Sequence, residues 1–390
     1  MGVTIGFVKL LLDPPPEIAN ARLGLLCNQA TVGQNWQPLW VELAKRFPGQ
    51  VRALFSPQHG WWGEKQDNMV ASADAMDPRT GLPVFSLYGE RLQPTAESLD
   101  LIDLLLVDLP DVGTRVYTFA ATMAYAMQAA ARAGKKVLVL DRPNPIGGVQ
   151  VEGNLLQPEM ASIVGPYPLP MRHGFTLGEL ARYYNDIGQM GCELDVLPVS
   201  GWERDSYFDA TGLPWVLPSP NLPTLDTALV YPGQVLLEGT NLSEGRGTSR
   251  PFELCGAPFI DPFAVTAALP SGPDLPGVLL RETWFQPTFH KWAGEVCGGW
   301  QLHVTDRLAY QPYFTTLTLL QTILALYPEH FQWRQPPYEY VHDRLPFDLL
   351  TGDPRIREGL IDQVPVATLA EQWQAGLADF QQKRHRYLLS

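Results

Sequence analysis

Four short apolar runs in the first 150 residues each end in a polar, turn-rich segment. Leu23–Cys27 runs into Asn28-Gln29-Ala30-Thr31-Val32-Gly33, and Val51–Phe55 into Ser56-Pro57-Gln58-His59-Gly60-Trp61-Trp62-Gly63-Glu64. Ile102–Leu109 precedes Pro110-Asp111-Val112-Gly113-Thr114-Arg115-Val116-Tyr117-Thr118. Lys136–Leu140 precedes Asp141-Arg142-Pro143-Asn144-Pro145-Ile146-Gly147-Gly148, with Val151-Glu152-Gly153 close behind. Carboxylates, amides, a histidine and an arginine set between glycines and prolines can exchange protons with, or hydrogen-bond to, a neutral, hydroxyl-rich ligand. Each has a plainer role beside that one. Asp141 and Asn144 equally shape loops through Asx turns. Arg115 equally pairs with Asp111 or Asp141, and Tyr117 equally packs at the start of the next helix.

Two later segments are as dense. Met171–Ala181 (MRHGFTLGELA) sets His173 just ahead of a helix start, where it either meets a ligand or fixes the loop. Residues 238–253 (EGTNLSEGRGTSRPFE) hold Glu238, Asn241, Ser243, Glu244, Arg246, Thr248 and Arg250 among three glycines. Such a stretch is too polar for a core; it reads as a solvated loop or a ligand clamp, and the Gly-Arg-Gly placement favours the clamp. Other chemistries lack their signatures. There is no GxGxxG between strand and helix and no GxxxxGK[ST] phosphate loop, which disfavours dinucleotides and nucleoside triphosphates. The GxSxG elbow is absent; His59 has no second histidine at metal-binding helical spacing, and Asp108 with Asp111 is weak evidence for a metal. Acid–base chemistry on a sugar-like substrate remains, and the 11 tryptophans suit sugar faces.

The elements that must hold these groups alternate. Strands are expected at Leu23–Cys27, Val51–Phe55, Val84–Tyr88, Ile102–Leu109 and Lys136–Leu140. Helices are expected at Trp40–Phe47, Phe119–Ala133 and Phe175–Asp186, the last opening on a Thr176/Glu179 capping box. This order predicts an α/β fold with a mainly parallel sheet, whose ligands lie beyond the strands' carboxyl ends. From about Leu229 the pattern changes to strands at Val278–Phe285 and Trp300–Asp306 and helices at Pro312–Tyr327 and Thr368–Tyr387, a smaller α+β domain. The proline-rich Leu213–Thr224 marks the boundary, giving domains at 1–225 and 226–390.

Composition narrows the setting. The chain has 390 residues, 28 Lys+Arg against 41 Asp+Glu and a net charge of −13. That balance argues against nucleic acid and anionic membranes as partners. A hydrophobic share of 45% excludes disorder. No run is long and apolar enough to predict membrane insertion, and no secretory signal is evident. The expected location is the cytoplasm, or outside it if a leader has been removed. The four cysteines form no CxxC pair and read as free thiols. Prolines number 36, a share of about 9% against a usual ~5%, which predicts stiff, shaped loops.

The motifs SPQHG, YTFAATMAYAM, LDRPNPIGG, VEG, RHGFTLGELA, LPSPNLPT and EGTNLSEGRGTSRPFE resemble those of the NamZ-type exo-β-N-acetylmuramidases. The likeness runs from Leu23 to the C-terminal KRHRYLL. It implies a Rossmann-like N-terminal catalytic domain, a smaller C-terminal domain and a site in the cleft between them. It implies release of N-acetylmuramic acid from the non-reducing end of peptidoglycan fragments. The partner would be a small amino sugar or muropeptide, with no metal or organic cofactor; oligomeric state is not implied.

One position departs from the family pattern. Where the family usually carries Pro-Glu-His-Gly, its glutamate being the favoured catalytic carboxylate, this chain has Gln58, and Trp62 stands where arginine is common. Glutamine is neither a general acid nor a general base. A glycosidase needs two carboxylates, or one and the substrate's acetamido group. Glu64 could supply the missing group, or a pair among Asp111, Asp141, Glu152 and Glu244 could act. Otherwise hydrolysis is lost and the protein binds or processes another glycan. The catalytic candidates are thus Gln58, His59, Glu64 and Asp111. The substrate-binding candidates are Asn28, Arg115, Tyr117, Asp141, Asn144, Glu152, His173, Asn221, Glu238, Asn241, Glu244 and Arg246. Arg115, and secondly Arg246, would pair with the lactyl carboxylate of muramic acid.

Overall fold

The structure is a computed structural model that describes residues 2–270 and 274–389. Seven strands build the larger sheet: β1 (Leu23–Leu26), β2 (Val51–Ser56), β3 (Ala75–Met76), β4 (Pro83–Ser86), β5 (Leu104–Val107), β6 (Lys136–Leu140) and β7 (Leu194–Leu197). Their order is β3-β4-β2-β1-β5-β6-β7. All pairings are parallel except that of the short edge strand β3 with β4. β1 and β5 are buried at every position because helices cover both faces. Side chains alternate between faces with period two. Leu26, Leu105 and Val107 enter one core, and Leu25, Leu104 and Leu106 the other.

Helices α1 (Gly6–Leu12), α2 (Leu39–Arg46), α3 (Ala96–Asp100), α4 (Thr118–Arg132) and α5 (Leu177–Ile187) accompany this sheet. The capping box of α5 is present: Thr176 accepts from the Glu179 amide, and Glu179 accepts from the Thr176 amide. α1 and β7 were not legible in the sequence. β7 has no continuous buried run, only half-exposed residues around Asp195. α1 lies hard against the sheet ends because Gly6 has no side chain; a Cβ there would stand 2.5 Å from the Asp141 nitrogen and the Leu197 oxygen.

The remainder contains α6 (Leu225–Gln234), β8 (Leu254–Ala257), α7 (Pro262–Ala268), β9 (Asp274–Leu275), β10 (Val278–Phe285) and β11 (Cys297–Val304). Four helices follow: α8 (Pro312–Leu326), α9 (Pro346–Thr351), α10 (Pro354–Ile361) and α11 (Val366–Arg384). The second sheet is antiparallel, in the order β8-β11-β10-β9. β11 begins earlier than its hydrophobic pattern predicts. Gly298 and Gly299 weaken the strand signal yet are required: a Cβ on Gly299 would meet the Cys255 oxygen at 1.9 Å.

One hydrophobic cluster continues from Phe55, Val107 and Val139 through α4 into Val230, Leu317 and Phe380. The end of the chain is fastened to the first sheet's helices. Tyr387 packs edge-on to Phe175 and Tyr183, and the Leu389 amide donates to Glu179. Among the described residues, no helix is long and apolar enough to cross a membrane.

Candidate active site

From β1 the chain builds outward through β2 to β4, then returns to place β5, β6 and β7 on the other side. Such a reversal opens a crevice at the carboxyl ends of the central strands. A cavity lies on this edge. Gln58 and His59, just past β2, line it, as do Tyr117 and Thr118 at the start of α4. Ser219 and Asn221 enter from the proline-rich segment, Tyr231 from α6, and Glu238, Arg246 and Phe252 from the glycine-rich clamp. Tyr338 and Glu339 close it from far along the chain.

Two carboxyl groups share this space in unlike surroundings. Glu238 is ion-paired with Arg246 at 2.8 Å and accepts from Asn68 (2.9 Å) and the Tyr338 hydroxyl (2.7 Å). Among the described residues Glu339 makes no ion pair. Its oxygens accept from Gln58 Nε2 (3.2 Å) and the Tyr88 hydroxyl (2.6 Å). Burial pushes the Glu339 carboxyl up to about 7; nearby Glu238 adds to the rise, against the Tyr88 and Gln58 hydrogen bonds and Arg246. The ion pair at Glu238 and the raised carboxyl at Glu339 thus give one pocket two unlike carboxyl environments. Thr118 donates to Gln58 Oε1 at 2.6 Å, which turns the amide NH₂ toward Glu339.

His59 stands in the left-handed region, at φ +79°. Its Nδ1 lies 2.8 Å from the Lys65 oxygen. A carbonyl only accepts, so Nδ1 carries the proton and Nε2 is left as the acceptor. Burial lowers the imidazole to about 4, so it is neutral at pH 7. Glu339 and Tyr340 are strained as well, at φ +44° and +65°. They form the centre of a two-residue hairpin in which Tyr338 and Val341 exchange both backbone hydrogen bonds at 2.9 Å. Two positive φ values are the mark of a type I′ turn, normally Asn-Gly. Side chains held so cost about 1–3 kcal/mol each, a cost typical of functional sites.

Of the sixteen residues singled out from sequence, Gln58, His59, Tyr117, Asn221, Glu238 and Arg246 meet at this cavity. The others stand elsewhere. Glu64 is exposed, and its carboxylate accepts from the Trp62 amide. Asp111 accepts from the Gly113 amide and lies 3.4 Å from His173 Nε2, while His173 Nδ1 accepts from the Phe175 amide. Asn28 donates to the Pro218 oxygen, and Asn144 to the Phe175 oxygen. Asp141 receives the Gly178 amide and the Thr176 hydroxyl at the start of α5, where a helix terminus favours an acceptor. Arg115 pairs with neither Asp111 nor Asp141. It donates to the carbonyls of Asn154, Leu169, Leu350 and Thr351. Glu152 accepts from the Phe314 amide in a separate cavity with Arg172 and Tyr310. Asn241 lines an open groove with Trp292 and Trp333. Glu244 backs the clamp; against burial, Lys291, His290 and Arg246 hold it down to about 2.

Glu339, Tyr338 and Tyr88 were not found from sequence. The one available signal was a carboxylate between two tyrosines just after Pro336-Pro337. Among the described residues no cluster of three or more His, Cys, Asp or Glu could hold a metal ion. All four cysteines are free and buried.

A pocket that holds two carboxyl groups, one ion-paired and one raised by burial, is the equipment of a glycoside hydrolase, and the known relatives agree. Models for the exo-β-N-acetylmuramidase NamZ match residues 23–226 with its N-terminal part and 229–389 with its C-terminal part. The chain belongs to the NamZ exo-β-N-acetylmuramidase family. It is 42% identical to the peptidoglycan β-N-acetylmuramidase NamZ of Bacillus subtilis (strain 168), over 99% of this chain and 91% of that protein. A DUF1343 family protein of Bacteroides fragilis NCTC 9343, solved at 1.65 Å, superposes with a TM-score of 0.87 at 30% identity, covering 99% of this chain and 98% of that one. A second from the same organism, solved at 1.30 Å, gives 0.76 at 26% identity, covering 100% and 99%.

Proposed function

We propose that this hydrolase releases N-acetylmuramic acid from the non-reducing end of peptidoglycan fragments, binding that sugar in the cavity beyond β2 and β5. The observation that carries the reading is the Glu238/Glu339 pair in one pocket, one ion-paired and the other raised to about 7. His59 Nε2 accepts from a sugar hydroxyl, and Asn221, whose amide is paired with Gln66 through one N–H and its oxygen, keeps its second N–H for the sugar. Arg246 Nη1 is buried without a partner, and a guanidinium beside the site matches the lactyl carboxylate. In this reading residues 1–225 form the Rossmann-like domain and 226–390 the smaller one.

The test is incubation of the full chain with a MurNAc-GlcNAc disaccharide and with an aryl β-MurNAc glycoside. Free N-acetylmuramic acid is the expected product. Binding without release above buffer would replace this reading with that of a glycan-binding protein.

A further inference from the structure

We propose that Glu339 is the catalytic acid that protonates the departing sugar oxygen, and that Gln58 positions it. The inference rests on the glycosidase reading above. Gln58 stands where the family resemblance sets a catalytic glutamate, and glutamine cannot give up a proton at neutral pH. Yet its Nε2 lies 3.2 Å from a carboxyl oxygen of Glu339, so a carboxyl group stands one hydrogen bond from the place of the missing one. It arrives from 281 residues further along the chain.

The surroundings suit a proton donor. Glu339 is 3% exposed and, among the described residues, makes no ion pair; the nearby Arg246 is paired with Glu238 and Glu244. A carboxyl group offers about four acceptor positions, and Gln58 and Tyr88 occupy two. The group therefore keeps room for a proton and for the glycosidic oxygen. Gln58 is held in turn by the Thr118 hydroxyl, so its NH₂ and not its oxygen faces Glu339. A glutamate at position 58 would set two carboxyls within hydrogen-bonding distance, and they would share one proton. Glutamine removes that contest. The left-handed backbone at Glu339 and Tyr340 is what a fold tolerates to aim one side chain.

The step balances. The Glu339 proton passes to the glycosidic oxygen as the bond from C1 to that oxygen breaks and its electron pair stays with the oxygen. Water then supplies hydroxide to C1, directly or after the substrate's own acetamido oxygen has occupied it. The water's second proton returns to the enzyme and restores the Glu339 carboxyl.

The experiment compares wild type, Glu339→Gln and Gln58→Glu as full-length proteins. One substrate is the MurNAc-GlcNAc disaccharide, whose leaving alcohol needs a proton. The other is a dinitrophenyl β-MurNAc glycoside, whose leaving group does not. Loss of an acid typically costs about 10²–10⁴-fold. Glu339→Gln, near isosteric and checked for folding by its thermal transition, should lose that much on the disaccharide. It should stay within about tenfold of wild type on the dinitrophenyl glycoside. The wild-type rate on the disaccharide should fall as pH rises through about 7, and Gln58→Glu should carry that limb to higher pH. A residue acting only on structure would not shift the limb. Equal losses on both substrates, an unchanged disaccharide rate, or a limb that Gln58→Glu leaves in place would each overturn the proposal. Wild type inactive on both substrates would overturn the functional reading itself, and this proposal with it.

Discussion

Arg115 is the residue whose surroundings most change its meaning, and replacing it tests that change. It is 1% exposed, and burial lowers its guanidinium only to about 10, so it keeps its charge at pH 7. Four donor contacts of 2.7–2.9 Å reach backbone carbonyls of Asn154, Leu169, Leu350 and Thr351. The last two end α9, where a cation suits the helix terminus. Arg115→Lys keeps the charge but brings three donors from a single point, which cannot span four carbonyls. Two buried carbonyls would lose their partners, at about 1–3 kcal/mol each. The expected loss is about 2–6 kcal/mol. At roughly 2.1 cal/mol/K per residue, unfolding of this chain carries about 0.8 kcal/mol/K, so Tm should fall by about 2–7 °C. Thermal unfolding measures that fall, and steady-state kinetics well below Tm should find KM within about threefold of wild type. An unmoved Tm with KM raised tenfold or more would refute the reasoning and make Arg115 a ligand for the substrate's carboxylate.

Stability should also respond to pH. Burial raises Asp141, Glu152 and Glu339 each to about 7, whereas in the unfolded chain such groups ionise near 4. Between pH ~4 and ~7 the folded state therefore holds more protons, and stability falls as pH rises through that window by up to about 1.4 kcal/mol per unit per group. Urea titrations at pH 5 and 7.5 should show the drop, Glu339→Gln should reduce it, and a gain toward pH 7.5 would contradict it. In β11, Gly299→Ala sets a Cβ 1.9 Å from the Cys255 oxygen. It should lower Tm far more than Gly134→Ala, where φ is +62° and nothing lies within 4 Å, a change worth about 1 kcal/mol. Similar Tm losses for both would show that β8 and β11 can part at little cost.

Much of the sheet was readable because it is buried on both faces. Leu104–Val107 and Lys136–Leu140 present continuous apolar runs that leave few alternatives. The same logic misses β7, an edge strand with no such run, and the glycine-rich start of β11. Half of the site was readable by local density: Gln58-His59 at a strand end, and Glu238 with Arg246 in one glycine-rich clamp. The direction of a side chain was not. Arg115 and Asp141 sit in dense polar loops yet turn inward, to carbonyls and to a helix start. Glu339 escaped for another reason. Its partners, Gln58 and Tyr88, are 281 and 251 residues away, and no short-range pattern encodes a contact of that span.

The span of the pocket's contacts orders its assembly. Gln58 and Tyr88 precede Glu339 by 281 and 251 residues. A chain growing from its N-terminus can assemble most of the seven-stranded sheet early, yet it holds only half of the candidate pocket until Tyr338 and Glu339 have been added. A product cut short before Tyr338 would keep Gln58, His59, Glu238 and Arg246 and lack the carboxyl group at position 339.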